Sequence, residues 1–417
     1  MISFDSQHTS IPAISGEKAW KITKDLLSKR EQLWFIDVDI STDVKEIKKY
    51  SKKLWNDFDS VVVLGIWWSA LGTKALLESL QWKYYNEIKD KQWKNIYVLD
   101  NIDPETFSDI ERLIDISRTL FIFISKSGGT IETLSEYIYF RDKCQKNLTD
   151  WKKHFCFIVG ENCSMKHTSE EDFQVFYIPE NIWGRFSVFT PVWLLPLAFS
   201  WADVSLFLEW ISEMKESLLS ADITKNISLG LAFTQQRYYN EWKNICVFFP
   251  YSSRLFQVWE WYKQLMWESI WKDGEGITLT SSLWVTDQHS QLQLYQDGPN
   301  DKFYITIDIQ NTKNNIQISP GIGDFSFKKL LEIEKYGTVT SLQNAKRPIC
   351  NISLWQLDEK HIASLLYILM FQVAYLWELM EINAFDQPGV EKSKVITKKK
   401  LREEIWDIDI FSKAFYD

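Results

Sequence analysis

The loop at residues 125–130, SKSGGT, combines small residues, hydroxyl groups and one lysine. It follows an apolar run at 120–124 and precedes a helical pattern, so it is predicted to join a strand to a helix. Small residues let backbone N–H groups approach an anion, and the helix N-terminus adds positive potential. The loop is therefore a candidate anion-binding site, although an ordinary turn rich in helix-capping residues has the same composition. Its candidate ligands are Ser125, Lys126, Ser127 and Thr130.

A second loop, residues 65–72 (GIWWSALG), also lies between a predicted strand, at 60–64, and a predicted helix. In an open α/β sheet, turns at the carboxyl ends of strands are where ligands bind. Trp67 and Trp68 are unexpected, because such a loop is typically built from residues without a Cβ atom.

Three further segments carry polar residues whose meaning stays open when each is taken alone. A glutamate on a helix, such as Glu268 in QLMWES, is usually solvated. A single histidine, such as His289 in DQHS, is more often a structural hydrogen-bonding residue than a catalyst. The segment 385–391, FDQPGVE, with Lys394 three residues on, is typical of a helix end and a turn.

These loops need a scaffold, and short apolar runs alternate with helical patterns along the chain. Strands and helices in alternation predict an α/β fold with parallel sheets covered on both faces. The pattern restarts after residue 205, which predicts an N-terminal domain at 1–205 with a helical N-terminal segment and a C-terminal domain at 206–417 with C-terminal helices. The predicted strands are 60–64, 96–99, 120–124, 155–159, 245–249 and 303–309, and the predicted helices include 71–80, 203–240, 255–269, 324–336, 361–382 and 392–405.

Composition limits the class of protein and its partners. The 417 residues are 45% hydrophobic and 25% charged, with a net charge of -9, which argues against nucleic-acid or anionic-membrane partners but permits an anionic substrate. The first residues do not look like a signal peptide, and the apolar stretch 363–377 is shorter than a membrane span. Five cysteines without a C-x-x-C pair suggest reduced thiols and a cytoplasmic protein.

Taken together, the motifs resemble the glucose-6-phosphate isomerase (phosphoglucose isomerase) family in its bacterial form. The resemblance runs from about residue 60 to residue 394. It implies two sugar-isomerase (SIS) domains, each a parallel sheet flanked by helices, with an active site between them that a second subunit completes. It also implies a homodimer, a sugar-phosphate substrate, and neither a metal nor an organic cofactor. The matching segments are 65–72, 125–133 (SKSGGTIET), 184–188 (GRFSV), 264–269, 286–299 (TDQHSQLQLYQDGP) and 385–391.

The resemblance implies interconversion of glucose 6-phosphate and fructose 6-phosphate through a cis-enediol. Glu268 matches the glutamate that moves the proton, and Arg185 matches the arginine that stabilises the enediolate. His289, supplied from the neighbouring subunit, and Lys394 match the residues that open the ring. The family usually has Leu-Gly before that lysine, where this chain has Lys392 and Ser393. Ser69, Ser125, Ser127 and Thr130 match the phosphate ligands, and Gln264 and Gln387 match glutamines that contact the substrate.

Tryptophan stands where the family has glycine, and the chain has 21 Trp but only 15 Gly. We interpret most of these residues as codons that the source organism reads as glycine, since some bacterial lineages decode UGA as glycine and others as tryptophan. The rival interpretation is a diverged pseudoenzyme whose phosphate site is blocked by indoles. Trp261 differs, because the family often has an aromatic residue there. The positions are Trp67, Trp68, Trp183, Trp193, Trp201, Trp267, Trp271, Trp284 and Trp377, and a chain with glycine at all of them is called the glycine chain below.

Two other functions remain open on the sequence. One is a dual phosphoglucose/phosphomannose isomerase. The other is a non-catalytic SIS protein that binds sugar phosphates, which would be expected to have lost at least one of the four catalytic candidates. All four are present: Arg185, Glu268, His289 and Lys394.

Overall fold

The structure, a computed structural model, describes residues 2–5, 15–81, 83–89, 91–163, 173–200, 202–318, 325–385 and 388–404. The chain divides into two compact units. Unit 1 comprises Met1–Asp39, Ala75–Lys83 and Ser205–Ala384, and unit 2 comprises Ile40–Lys74, Tyr84–Val204 and Phe385–Asp417.

The sequence predicted one boundary near residue 205. The two units do not follow this division, because the N-terminal segment belongs to the same unit as Ser205–Ala384. Strand Ile2–Asp5 pairs with strand Ile349–Leu354, and helix Gly16–Ser28 packs against helix Glu359–Leu379. An ion pair of 2.5 Å between Lys29 and Glu378 adds to this contact. These contacts hold residues 2–5 and 15–39 in unit 1.

The sheet of unit 2 is parallel, as predicted. Its strands are β2 (Ser60–Leu64), β3 (Asn95–Leu99), β4 (Thr119–Ser125), β5 (Phe155–Gly160) and β6 (Gln174–Ile178). Its order is β3-β2-β4-β5-β6, and every residue of β2, β4 and β5 is buried. Such continuously apolar strands are typical of a sheet covered on both faces. The edge strand β6 is partly exposed and was not among the predicted strands.

The strands of unit 1 are β1 (Ile2–Asp5), β7 (Ile245–Pro250), β8 (Thr278–Ser281), β9 (Lys302–Ile309) and β10 (Ile349–Leu354). They form one sheet in the order β1-β10-β9-β7-β8. Its strands are parallel except β1, which runs antiparallel to β10 at the edge. A short antiparallel edge strand on an otherwise parallel sheet is common in folds of this class.

The helical stretch predicted at 203–240 is two helices, separated by a turn that Asn226 stabilises. The Asn226 amide donates to the carbonyls of Leu218 and Ser220, and its oxygen caps the second helix at the N–H of Leu229. A side chain that bonds the backbone in this way is a strong helix start. In the described part of the chain, the α-helices are Gly16–Ser28, Val38–Ser41, Val44–Leu54, Trp68–Leu80, Pro104–Leu113, Ile131–Asn147, Pro191–Leu197, Val204–Leu218, Ile227–Asn240, Phe256–Ile270, Leu292–Asp297, Phe327–Asn344, Glu359–Leu379 and Pro388–Glu404.

Helix Glu359–Leu379 is the core helix of unit 1. Its length and apolar composition would suit a membrane span, but 94% of its apolar window is buried inside the protein. It packs against helices Ile227–Asn240 and Phe256–Ile270, and together they enclose a ring of polar side chains. Gln235 donates to the Tyr262 hydroxyl at 3.2 Å, Tyr262 donates to Gln372 at 2.5 Å, and Gln372 donates back to Gln235.

We expect Tyr262→Phe to lower the free energy of unfolding by about 1–3 kcal/mol, because it leaves the two buried glutamine amides with unmet hydrogen-bonding groups. Denaturant unfolding of the variant and its parent measures this difference. Tyr336→Phe is the matched control, since Tyr336 is an exposed tyrosine of the same unit. Equal destabilisation by the two variants would show that the buried ring is not stabilising.

Candidate active site

The loop 125–130 lies between β4 and helix Ile131–Asn147, as predicted. Ser125 is buried, and its hydroxyl donates to the Thr130 hydroxyl at 3.1 Å. Gly128 has φ 69°, a conformation that favours glycine, and its N–H donates to the Ser125 carbonyl. Thr130 occupies the cap position of the helix without capping it through its side chain. The two hydroxyls therefore lie together at the positive end of a 17-residue helix.

Lys126 is held by backbone carbonyls. Its ammonium group donates to the carbonyl oxygens of Glu180 at 2.7 Å and Ile182 at 2.8 Å, and its own carbonyl accepts from the Gly160 N–H at 3.0 Å. Burial lowers the pKa of Lys126, while the carboxylate of Glu180 opposes this shift. A Cβ atom on Gly160 would lie 2.5 Å from the Lys126 carbonyl oxygen, so glycine is required there. Lys126 thus connects the loop to the turn after β6. Because the acceptors are backbone carbonyls, no sequence motif predicts this contact.

Arg185 lies in the short 3-10 turn Gly184–Phe186 that follows this contact. It is only 2% exposed. The centre of its guanidinium group is 5.2 Å from the centroid of the Trp183 ring and 5.6 Å from that of Phe186. The Phe186 face is the contact that the glycine chain keeps, and a cation beside an aromatic face is restricted in orientation.

The loop 65–72 follows β2, which pairs in parallel with β4. The two predicted ligand loops therefore adjoin at one edge of the sheet. Ser69 is buried in the first turn of helix Trp68–Leu80. A Cβ atom on Gly65 would lie 2.7 Å from the Ser69 Cβ, so Gly65 permits this close turn.

The two tryptophans of this loop occupy unusual places. Trp67 has φ 55° and is 57% exposed. Trp68 packs its indole directly against Gly184, where an added Cβ would lie 2.4 Å from the Trp68 Cε2 atom. The Trp68 indole therefore fills the space beside the residue that precedes Arg185.

In unit 1, Gln264 and Glu268 lie one turn apart on helix Phe256–Ile270, which follows β7. The Gln264 amide donates to Glu268 Oε1 at 2.8 Å. Gln264 is buried and Glu268 is half-buried. The Lys272 ammonium group donates to the backbone carbonyl of Glu268 at 3.2 Å. The carboxylate is thus oriented by a neighbour on the same helix face, as the i, i+4 spacing requires.

His289 follows β8 on a segment that its neighbours fix. Asp287 accepts from the Leu283 N–H at 2.6 Å and from the Ser290 hydroxyl at 3.0 Å, while Gln288 donates to Glu334 at 2.8 Å. His289 itself is exposed. The structure therefore presents this side chain at the surface of unit 1.

The structure groups the predicted residues by unit. Unit 2 brings Ser69, Ser125, Ser127 and Thr130 to one edge of its sheet, and unit 1 pairs Gln264 with Glu268. Lys394 is exposed on helix Pro388–Glu404. Gln387 and Trp201 lie outside the described residues.

Comparison with known proteins identifies the family. The family profile described as phosphoglucose isomerase matches residues 42–307. A glucose-6-phosphate isomerase of Carboxydothermus hydrogenoformans is 34% identical over 94% of this chain and 90% of its own length. A solved hypothetical protein of Thermus thermophilus superposes with a TM-score of 0.88 at 29% identity, over 96% of this chain and all of that one. A glucose-6-phosphate isomerase of Chlamydia trachomatis shares the fold, with a TM-score of 0.81 at 19% identity, over 100% of this chain and 91% of that one. The chain therefore belongs to the phosphoglucose isomerase family and is an aldose–ketose isomerase of glucose 6-phosphate.

Proposed function

We propose that Glu268 moves the proton between C1 and C2 of glucose 6-phosphate and fructose 6-phosphate. The observation that carries this proposal is the 2.8 Å hydrogen bond from Gln264, which fixes one carboxylate oxygen. A positioned carboxylate can take a proton from one carbon and return it to the next. Gln264 accordingly orients the base as well as contacting the substrate, and Gln387 is proposed as a second substrate contact.

The phosphate group of the substrate binds, in this proposal, to the hydroxyls of Ser69, Ser125, Ser127 and Thr130. Support comes from the paired hydroxyls at the N-terminus of helix Ile131–Asn147 and from the adjoining loop on β2. Backbone N–H groups at such a helix end have no intrahelical partner and favour an anion. Lys126, whose ammonium group is held by the carbonyls of Glu180 and Ile182, adds positive charge to this loop.

Arg185 stabilises the enediolate, and its burial supports this role because a buried cation acts more strongly on developing charge than an exposed one. His289 and Lys394 open the sugar ring. The exposure of His289 suits a residue that serves the site of a second copy of this chain, so the working enzyme is proposed to be a homodimer with shared sites.

The cytoplasm is the proposed compartment. None of the five cysteines forms a disulfide, and four of them are buried. Burial raises the pKa of Cys144, Cys156 and Cys350 to about 12, so these thiols stay protonated at neutral pH. Buried, unpaired thiols are typical of proteins from reducing compartments.

A coupled assay tests the proposed function. Fructose 6-phosphate is supplied to the glycine chain, and the glucose 6-phosphate formed is oxidised by a dehydrogenase that reduces NADP. Turnover of fructose 6-phosphate but not of mannose 6-phosphate supports the proposal, whereas turnover of both favours a dual phosphoglucose/phosphomannose isomerase. Binding of either sugar phosphate without turnover would favour the non-catalytic protein.

We expect Lys126→Met in the glycine chain to raise the KM for fructose 6-phosphate about tenfold. The substitution removes two charge-assisted hydrogen bonds, each contributing about 1.5–3 kcal/mol to the position of the loop, and part of this loss falls on substrate binding. Steady-state kinetics measure the effect. Lys153→Met, at an exposed lysine of the same unit, is the control. An unchanged KM would show that the phosphate site does not depend on the Lys126 contacts.

A further inference from the structure

The helix end at residues 240–243 has the geometry of a Schellman motif. Helix Ile227–Asn240 is followed by its cap residue Glu241, and the next residue, Trp242, has φ 63°. The Trp242 N–H donates to the Tyr239 carbonyl at 3.0 Å, and the Lys243 N–H donates to the Tyr238 carbonyl at 2.9 Å. These two bonds define the motif, whose left-handed residue is usually glycine.

Tryptophan is poorly suited to this position. A left-handed conformation brings Cβ close to the following carbonyl oxygen, and for a bulky side chain it is a rare outlier. The Trp242 side chain gains no burial in exchange, since it is 82% exposed. Two other helices end with a left-handed Lys346 and a left-handed Glu381, whose Cβ atoms meet the same crowding, but their charged groups are well solvated at the surface whereas the Trp242 indole is not.

Trp67 repeats this combination in the other unit, with φ 55° and a side chain that is 57% exposed. In the described part of the chain, the non-glycine residues with positive φ are Trp67, Trp242, Asp273, Lys346 and Glu381. Tryptophan fills two of these five places although it makes up only 21 of 417 residues, so it is concentrated where glycine is favoured. The chain is also short of glycine. It has 15 glycines among 417 residues, roughly half of the usual share of about 7%.

We infer that glycine occupies positions 67, 68 and 242 in the polypeptide that the source organism synthesises. Position 68 is included because its indole presses on Gly184 beside the buried Arg185. Position 242 matters most, because it lies outside the motifs that resemble the isomerase family and is assigned by backbone geometry alone. An adaptive change confined to the phosphate site would not place tryptophan there as well.

Trp261 is the internal control. It is completely buried in unit 1, and its φ is not positive. The inference therefore assigns real tryptophan to position 261 and glycine to the other three positions.

The first test identifies the residues directly. The protein is purified from the source organism and its peptides are sequenced by mass spectrometry, and the codons of the gene are compared. Glycine at 67, 68 and 242, with tryptophan at 261, supports the inference, as does a codon shared by the first three positions that differs from the codon at 261. Tryptophan at 67 and 242, or the codon UGG there, overturns it.

The second test measures how well each residue suits the left-handed conformation at position 242. It uses the recombinant glycine chain, which keeps Trp242 and Trp261. Trp242→Gly is expected to raise the melting temperature by about 2 °C, because glycine adopts the left-handed conformation without steric cost. Trp242→Ala removes the indole but keeps Cβ, so it separates the backbone effect from the loss of an exposed ring. Trp261→Gly is expected to lower the melting temperature by several degrees. If Trp242→Gly has a melting temperature no higher than that of Trp242→Ala, the conformational argument is overturned. These melting temperatures do not depend on enzymatic activity.

Discussion

Glu268→Gln in the glycine chain is expected to reduce turnover of fructose 6-phosphate by about 10²–10⁴-fold, the usual contribution of a general base. Glutamine has the shape of glutamate, and its carbonyl oxygen can still accept the hydrogen bond that Gln264 now gives to Glu268. The amide, however, cannot take a proton from carbon. The affinity for substrate should therefore change little while the chemical step is lost.

Two measurements separate this effect from damage to the fold. Isothermal titration with fructose 6-phosphate reports binding, and the coupled assay reports turnover. Glu260→Gln, at a glutamate paired with Lys263 on the same helix, is the matched control and should keep normal turnover. Near-normal turnover of Glu268→Gln would refute the assignment of Glu268, whereas loss of binding together with turnover would point to a structural role.

The strands that position the site could be predicted because their burial leaves a simple pattern. β2, β4 and β5 are buried along their whole length, so they are continuous apolar runs bounded by turns. β1, β6 and β8 are short, partly exposed edge strands with weak patterns, and the sequence did not predict them. β10, an almost fully buried inner strand, was not predicted either. Edge strands depend on a neighbour that only the fold supplies.

The division into units could not be read along the chain for a similar reason. Residues 2–5 join unit 1 by pairing with residues 351–354, some 350 positions away. Local composition carries no information about such a contact. The prediction of two SIS domains is confirmed by the fold and the family, while their boundaries depend on these distant pairings.

In the site, the types of the functional side chains could be predicted from the sequence, whereas contacts made by the backbone could not. Side chains such as Ser125, Thr130 and Glu268 stand in ordered motifs, so their types could be identified. The partners of Lys126 are carbonyl oxygens, and every residue has a carbonyl. The anomaly at Trp67 was visible in the sequence, but the one at Trp242 needed the φ angle.

Glu136 lies on helix Ile131–Asn147, within two turns of the phosphate loop, and has no function in the proposed mechanism. It is completely buried, and neither carboxylate oxygen has a hydrogen-bond partner within the described residues. Burial raises its pKa from 4.5 to about 9, with smaller contributions from the negative charges of Asp100 and Glu132. In the folded protein Glu136 is therefore protonated at neutral pH.

A carboxyl group of this kind makes stability fall as pH rises. Between about pH 4.5 and about pH 9 the folded chain holds a proton that the unfolded chain has released, so unfolding becomes easier with each pH unit. Glutamine resembles the protonated glutamic acid but does not titrate. Glu136→Gln is thus expected to be neutral near pH 4 and to raise the free energy of unfolding by about 3 kcal/mol at pH 7.

Denaturant unfolding of the glycine chain and its Glu136→Gln variant, followed by circular dichroism at several pH values, measures this difference. Asp142→Asn on the same helix is the control, because Asp142 is half-exposed and its removal costs only a surface ion pair with Arg141, so this variant should show no gain in stability at pH 7. A gain in stability at pH 7 that is equally large at pH 4 would mean that glutamine packs better for reasons unrelated to charge. No gain at either pH would mean that Glu136 is ionised in the folded protein and finds a partner there, and only a gain that grows with pH identifies a buried, protonated carboxyl beside the phosphate loop.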